Sequence, residues 1–400
     1  MLKFHSLRIV EVQPDAEDAV AVALEVPQEL RGEYTGLPGQ HVVLRAELGG
    51  EEARRTYSLI NPPGEWPLRI VARVHERGRM SRHLAEEARI GDTIDVLPPN
   101  GSLTPRQGVT ATSGKWHTYV GFASGCGITP VLSIARSLLQ SDPVARFILF
   151  YGNSSTARTM CLEELLALKD LCLDRVALHF IMSREPQEVE LYNGRIDAAR
   201  VRELARSLFE VDSVAEFFVC GPGDMIEQVS GALRELKVNA ERIHGEHFRV
   251  EAAEAPSPAL SAAAAPGVRP SAASTPASAP SGASARAPSS APSATPARLP
   301  SDAGAADSCE VTVLMDGRRR TFTMRRGDET VLDAAARSGL DLPFSCRAGV
   351  CSTCRTKVVR GEVEMAVNYA LEDWEVEQRY ILACQARVKT PTLELDYDEK

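Results

Sequence analysis

From about Glu254 to Asp307 the chain is almost entirely Ala, Ser and Pro, as in SPALSAAAAPGVRPSAASTPASAPSGASARAPSSAPSATPAR, and no single globular fold takes up such a stretch. It has no aromatic residue and few large aliphatics, so it buries too little apolar surface to offset the entropy of ordering. The repeated prolines also rule out a long helix. The sequence therefore predicts a disordered tether at 251–307, with an r.m.s. reach of about 40 Å as a flexible coil. Structured blocks are expected on either side of it. Residues 1–107 read as β-rich: AVAVALEV and HVVLRAEL are strand runs, and Gly49-Gly50 marks a reversal. Residues 108–250 alternate apolar strand runs (HTYVGFA, RFILFYG, ALHFIMS, EFFVCG) with helical ones (VLSIARSLLQ, LEELLALKDL, AARVRELARSL, DMIEQVSGALREL), the rhythm of a parallel sheet covered by helices. Residues 308–400 open with a strand pair, CEVTVLM and RTFTMRR, about Asp316-Gly317.

The net charge of −9 argues against nucleic acid as a partner. MLKFHSLRIV lacks the apolar core of a signal peptide, and no run approaches the roughly 18 apolar residues of a membrane span. A cytoplasmic location is expected, with the nine cysteines as thiols or metal ligands rather than disulfides.

Four of those cysteines carry the strongest chemical signal. Cys346, Cys351 and Cys354 follow C-x4-C-x2-C, and Cys384 lies 29 intervening residues further on. Crowded thiolates repel unless a metal centre holds them. FSCRAGVCSTCR has small residues that let backbone wrap such a centre, and Gly349 is expected at positive φ. The spacing is that of a plant-type [2Fe–2S] cluster, with structural zinc as the alternative. Cys161, Cys172 and Cys309 stand alone and read as small buried hydrophobes.

Two further motifs lie upstream. In RRTYSLIN, strand alternation sets Arg55 and Tyr57 on one face and Thr56 and Ser58 on the other. An arginine can neutralise a pyrophosphate, and an aromatic ring can pack on an isoalloxazine. Gly78, Arg79, Met80 and Ser81 then open a helical stretch whose amino terminus suits a phosphate. VGFASGCGITPVLSIA reads as strand, glycine turn and helix: Gly121, Gly125 and Gly127 admit phosphates, Thr129 suits an N-cap and Pro130 the first helical position. A second glycine turn, CGPGDM, begins at Cys220, Gly221 and Pro222. Two such turns at the carboxyl ends of parallel strands would line one crevice for a nucleotide. Ser183 and Arg184 end another strand, a pairing that favours a 2′-phosphate and hence NADPH over NADH; a solvated surface arginine is the alternative.

R-T-Y-S, G-R-M-S, G-C-G-I-T-P and C-G-P-G-D-M, in that order, resemble the ferredoxin–NADP reductase superfamily. The carboxy-terminal ferredoxin resembles that of reductases serving oxygenases. FHSL, LPGQHVVLR, YGN, NGRID and NYALEDWEVEQRYILACQA resemble the family of phenylacetyl-CoA epoxidase reductase components. The resemblance implies a six-stranded antiparallel flavin barrel, an α/β nicotinamide domain and a β-grasp ferredoxin. It implies FAD against Arg55, Thr56, Tyr57 and Ser58, with Gly78 to Ser81 at its pyrophosphate. It places the nicotinamide nucleotide against Gly125 to Thr129 and Cys220 to Pro222, Cys220 near the reacting carbon, and Glu246 and Phe248 near the flavin. Two departures stand out: Cys126 where Ser or Thr is usual, and the length of the tether.

Electron counting explains the combination. NADPH gives two electrons as hydride and a [2Fe–2S] cluster accepts one, so a flavin must stand between them. The expected function is electron transfer through FAD and the cluster to the oxygenase subunits of phenylacetyl-CoA epoxidase. The reductase of another aromatic-ring oxygenase, or a cluster-based redox sensor, are the alternatives. The tether would let the ferredoxin block shuttle, and the acidic run Glu372, Asp373, Glu375 and Glu377 is expected on a solvated helix face, with docking to a basic partner surface as the alternative.

Overall fold

The computed structural model describes residues 3–106, 116–247, 308–327, 329–371 and 373–399. The 251–307 segment, Phe248 and the 107/108 boundary lie outside the described residues.

The first block holds strands β1 (His5–Ala16), β2 (Ala19–Glu25), β3 (His41–Leu48), β4 (Glu51–Ser58), β5 (Leu68–Arg73) and β6 (Thr93–Asn100). All pair antiparallel, in the order β4-β3-β6-β1-β2-β5. A bridge between Leu59 and Ile70 joins the two ends of that order, closing the sheet as a barrel. Gly49 and Gly50 both take positive φ in the β3–β4 reversal, as the sequence predicts. Short helices α1 (Arg31–Tyr34) and α2 (Arg79–Arg82) cover the barrel ends. Leu7, Val22, Leu24, Val42, Leu44, Ile70 and Val96 fill the interior.

The second block is a five-stranded parallel sheet of β7 (His117–Ser124), β8 (Ala145–Asn153), β9 (Val176–Met182), β10 (Val214–Gly221) and β11 (Ile243–His247), in the order β11-β10-β7-β8-β9. Helices α3 (Ile128–Ser141), α4 (Leu162–Cys172), α5 (Ala198–Leu208) and α6 (Gly223–Glu235) fill the crossovers. Every strand run and helical run read from this block is present. Because both faces of the sheet are covered, its strands are apolar on both sides rather than alternating.

These two blocks share one apolar core. Ala19, Ala21, Ile60 and Val71 of the barrel pack with Val131, Ile134 and Phe218 of the α/β block. Polar contacts run along the same seam: Glu17 N–H donates to Ala157 O at 2.9 Å, Ser133 Oγ donates to Asn61 O at 3.0 Å, and Asp18 pairs with both Arg73 and Arg158. Asp15 accepts from the Cys161 N–H at 3.0 Å, and burial lifts its carboxyl from 3.8 to about 6 against the pull of that N–H. A carboxyl raised on folding favours the folded state fully only below its unfolded pKa; that contribution is lost as pH rises through about 6. Asp15→Asn keeps an oxygen acceptor without the charge. Full linkage would give about 3 kcal/mol, and solvent screening of this part-exposed group reduces it to roughly 1–2 kcal/mol. The variant is therefore expected to melt about 4 °C higher than wild type at pH 8, the gap narrowing toward pH 5. Calorimetry showing a gap independent of pH would refute the assignment.

The third block carries β12 (Ser308–Met315), β13 (Arg318–Arg325), β14 (Arg355–Arg360), β15 (Val363–Met365), β16 (Tyr380–Leu382), β17 (Ala386–Val388) and β18 (Thr392–Asp396), with helices α7 (Val331–Arg337) and α8 (Asp373–Glu377). β12 and β18 run parallel at the centre of a mixed sheet ordered β13-β12-β18-β14-β16, the β-grasp arrangement. Asp316 and Gly317 both take positive φ, as a two-residue hairpin turn requires. Its core of Val311, Val313, Leu332, Leu382 and Leu393 is its own.

Candidate redox centre and nucleotide crevice

Cys346, Cys351 and Cys354 lie on the loop before β14, and Cys384 on the turn between β16 and β17. Gly349 has φ +75°, and an added Cβ there would lie 3.1 Å from Val367 O. Arg347 and Ser352 also take positive φ, so the loop is tightly coiled about the sulfurs. Backbone N–H groups point inward: Ala348 to Cys346 Sγ at 3.4 Å and Cys346 to Cys351 Sγ at 3.5 Å. The thiols interact in two pairs, Cys346 with Cys351 and Cys354 with Cys384. The Cys351 sulfur, with the backbone N–H groups of Ala348, Val350 and Cys351, pushes the Cys346 thiol down to about 6 against its burial, toward the thiolate a metal needs. Among the described residues, no three of the four sulfurs gather within 4.8 Å of one another. A single tetrahedral zinc would draw them closer than that. The donor set fits a two-iron cluster with two thiolates per iron.

On β4, Arg54 and Thr56 face the ferredoxin block. Arg54 is 7% exposed, with Asp341 at 3.2 Å, Glu52 at 2.8 Å and its guanidinium 4.2 Å from the Phe344 ring centroid. Thr56 Oγ1 lies 2.7 Å from Ser345 Oγ, and Asn100 Oδ1 accepts from Thr353 Oγ1 at 3.4 Å. The residues before the first cluster cysteine thus rest on the strand that carries R-T-Y-S, and Thr353, between the cysteines, rests on the end of β6. Ser58 is buried, and its Oγ has no hydrogen-bond partner among the described residues. Arg55 Nη1 donates to Arg54 O at 2.7 Å, and Tyr57 is half-buried. At the second motif, α2 begins at Arg79, and Ser81 Oγ accepts from His75 N–H and donates to Gly78 O. An added Cβ at Gly78 would meet Ser81 Oγ at 2.3 Å, so a side chain there would displace the hydroxyl that closes this turn. An orphaned buried hydroxyl at one end of β4 and a glycine-led helix start whose Arg79 reaches the other end fit a flavin with its phosphates.

The two glycine turns of the α/β block touch, as one crevice requires. β7 and β10 are neighbours, and an added Cβ at Gly127 would fall 2.1 Å from Cys220 O. Gly125 takes positive φ with open space before it. Cys220 is fully buried, and burial followed by the Glu246 charge raises its thiol well above the ordinary range, keeping it protonated. Glu246 is its registered partner on β11. Asn153 is buried at the end of β8, and its Nδ2 has no hydrogen-bond partner among the described residues. Ser183 and Arg184 are exposed after β9, and both backbone N–H groups bond back to 153–154. Three expectations are corrected. Gly127, not Thr129, caps α3; Thr129 lies in the first turn, where its Oγ1 donates to Cys126 O at 2.9 Å. Gly121 sits inside β7, where Val131 and Phe147 would block a Cβ, so it serves helix–sheet packing. Glu375 is buried against Arg355 at 2.9 Å instead of facing solvent, and Glu372 lies outside the described residues.

Three domain families match in order: an oxidoreductase FAD-binding domain at 8–104, an oxidoreductase NAD-binding domain at 122–231 and a 2Fe-2S iron-sulfur cluster binding domain at 313–389. Over 402 residues the chain is 35% identical to the E subunit of 1,2-phenylacetyl-CoA epoxidase from Escherichia coli (strain K12), covering 100% of this chain and 99% of that one. The chain belongs to that family of ferredoxin–NADP reductase-type proteins with a carboxy-terminal ferredoxin. It is also 28% identical to the ferredoxin reductase component of 3-ketosteroid-9-alpha-monooxygenase from Rhodococcus rhodochrous, over 98% of this chain and 96% of that one. Phthalate dioxygenase reductase shares the fold at a TM-score of 0.53 and 19% identity, over 98% of each chain. This reductase is an oxidoreductase that binds FAD, a nicotinamide nucleotide and a [2Fe–2S] cluster, and it passes electrons to an oxygenase partner. No helix among the described residues is long and apolar enough to cross a membrane.

Proposed function

We propose that the chain is the cytoplasmic reductase component of a phenylacetyl-CoA epoxidase, drawing on NADPH in preference to NADH. The observation that carries the partner is the end-to-end similarity to the E subunit of that epoxidase, which spans all three blocks. We divide the chain at 107/108, 250/251 and 307/308, with 251–307 as the tether between reductase and ferredoxin.

Arg55, Tyr57 and Ser58 hold the flavin, Gly78, Arg79, Met80 and Ser81 its pyrophosphate, and Thr56 the ferredoxin loop as well as the flavin edge. Gly125, Gly127, Thr129, Gly221 and Pro222 receive the nucleotide. Cys346, Cys351, Cys354 and Cys384 ligate the cluster. When bound, the flavin supplies the step from paired to single electrons. Cys220, a buried neutral thiol, bounds the nicotinamide pocket without adding charge, and Glu246 supplies the carboxylate beside it.

Arg184 supports the choice of donor. Its acidic neighbour Glu185 is committed to the Thr156 N–H and Oγ1, both at 2.7 Å, leaving the guanidinium to meet a 2′-phosphate. A charge-assisted contact contributes about 1.5–3 kcal/mol, or roughly 10–100-fold in affinity. Anaerobic titration of the purified protein is expected to bleach flavin and then cluster bands at lower NADPH than NADH. Arg184→Ala should raise the KM for NADPH by that factor and leave NADH untouched. Equal effects on both donors would refute the 2′-phosphate contact, and a preparation without flavin the whole reading.

A further inference from the structure

Beside Ser58 lies a buried imidazole. His41 opens β3, in register with Ser58 on one side and Asn100 on the other, so the three side chains share a face. His41 is 1% exposed, and neither ring nitrogen makes a hydrogen bond among the described residues. Its nearest charge comes from the other domain: Nδ1 lies 3.3 Å from Glu246 Oε1, and Glu246 Oε2 also has no partner among the described residues. Room for the ring depends on residue 101, where a Cβ would meet Nδ1 at 2.9 Å; the residue is glycine, at φ +123°.

A histidine that only fills a core is satisfied locally. His244 shows this: it is 5% exposed, with Nε2 2.9 Å from Glu216 Oε1. His41 differs, since a buried polar group without a partner costs about 1–3 kcal/mol and an apolar side chain would fill the space without that cost. What the imidazole offers instead is a ring nitrogen within hydrogen-bond distance of a carboxylate oxygen across the domain boundary, short only of the alignment such a bond needs. That carboxylate is in register with Cys220.

We propose that His41 is a positioning residue for hydride transfer, fixing the Glu246 carboxylate of β11 against the barrel beside Cys220 and Ser58. This rests on the reading that Cys220, Glu246 and Ser58 surround the place where nicotinamide and flavin meet. Glu246 sits on the last described strand of the α/β block, at the sheet edge with β10 as its one neighbour, so its own domain restrains it on one side only. A displacement of about 1 Å at such a site costs on the order of 100-fold in rate.

The test is a double-mutant cycle on the flavin- and cluster-loaded full chain: His41→Phe, Glu246→Gln and the pair, with His41→Asn as the conservative variant. Stopped-flow absorbance follows flavin bleaching by NADPH, and visible circular dichroism of the oxidised protein reports the flavin surroundings without turnover. His41→Phe is expected to slow bleaching about 10–100-fold at saturating NADPH with KM nearly unchanged. His41→Asn, which keeps an N–H, should recover part of the loss. The pair should be no slower than the slower single variant, and both single variants should change the flavin dichroism alike while leaving the cluster bands alone. Additive losses in the pair, or a wild-type rate in His41→Phe, overturn the proposal. Wild-type rates in both Glu246→Gln and Cys220→Ala would instead overturn the reading of the site. If His41→Phe does not load flavin, His41→Leu, which also lacks an N–H, carries the same cycle, and the same two results overturn the proposal.

Discussion

Gly127→Ala is expected to slow nicotinamide-driven bleaching of the flavin by at least about 100-fold while dithionite still reduces flavin and cluster normally. The added Cβ would stand 2.1 Å from Cys220 O, 2.5 Å from Cys220 C and 2.8 Å from Gly221 N. All three are backbone atoms, so no side chain can swing away and the two turns must separate. Overpacking of this kind costs about 1–3 kcal/mol when side chains can give, and rigid backbone puts the cost at the upper end. Displacing the turns by about 1 Å moves the nucleotide relative to the barrel, and orientation alone is worth on the order of 100-fold in rate. Two controls separate this from a general glycine effect. Gly125→Ala has open space but φ +55°, so it incurs backbone strain of about 1–2 kcal/mol without parting the turns. Gly231→Ala, inside α6 with nothing within 4 Å, should stabilise by about 0.5–1 kcal/mol. Bleaching at the wild-type rate in Gly127→Ala would show that the two turns do not jointly hold the nucleotide.

The sequence carried the parts of this architecture that are local. The cluster cysteines, Gly349 at positive φ and the Asp316-Gly317 hairpin depend on neighbours in the chain, and so does the apolar rhythm of β7 to β10 with α3 to α6. What the sequence hid depends on pairing across distance. Barrel closure rests on a bridge between Leu59 and Ile70, and nothing in either segment announces it. Thr129 and Pro130 read as a helix start because Thr is a good cap, yet Gly127 is drawn to the cap position by its contact with Cys220. Gly121 looked like one more phosphate glycine because spacing does not tell a turn from a strand interior against which a helix packs. Glu375 looked solvated in an acidic run, whereas Arg355 on β14 buries it. His41 gave no signal at all: in LPGQHVVLR it is a polar residue at a strand start, and only the approach of β11 from another domain gives it a partner.

The contact between barrel and ferredoxin was equally illegible, and replacing Arg54 should expose its role. Arg54→Ala is expected to leave flavin reduction by NADPH unchanged and to slow the subsequent bleaching of the cluster bands roughly 10–30-fold. The guanidinium is held between Phe4 and Phe344 and pairs with Asp341, so truncation removes a stacked cation and a charge-assisted bond together. Docking within one chain is governed by effective concentration, so weakening the contact by about 2 kcal/mol lowers the docked fraction by a factor of about 30 at most. Asp341→Ala tests the same contact from the ferredoxin side, and its effect should be smaller because Arg54 keeps its pairing with Glu52 and its place over the Phe344 ring. The contact has a second consequence. Phe344, Ser345 and Thr353 flank the cluster cysteines and face the barrel, so the side of the ferredoxin block that receives electrons is covered while docked. If electrons leave by that same side, the block must part from the barrel before an oxygenase can reach it. Residues 248–307 span at most about 200 Å when fully extended, ample for such a departure. Shortening this segment stepwise is then expected to leave cluster bleaching by NADPH intact while oxygenase-coupled turnover falls. Arg54→Ala, by contrast, should impair cluster bleaching first. Parallel losses in both variants would mean that electrons enter and leave without undocking, through a face of the ferredoxin block that the barrel does not cover.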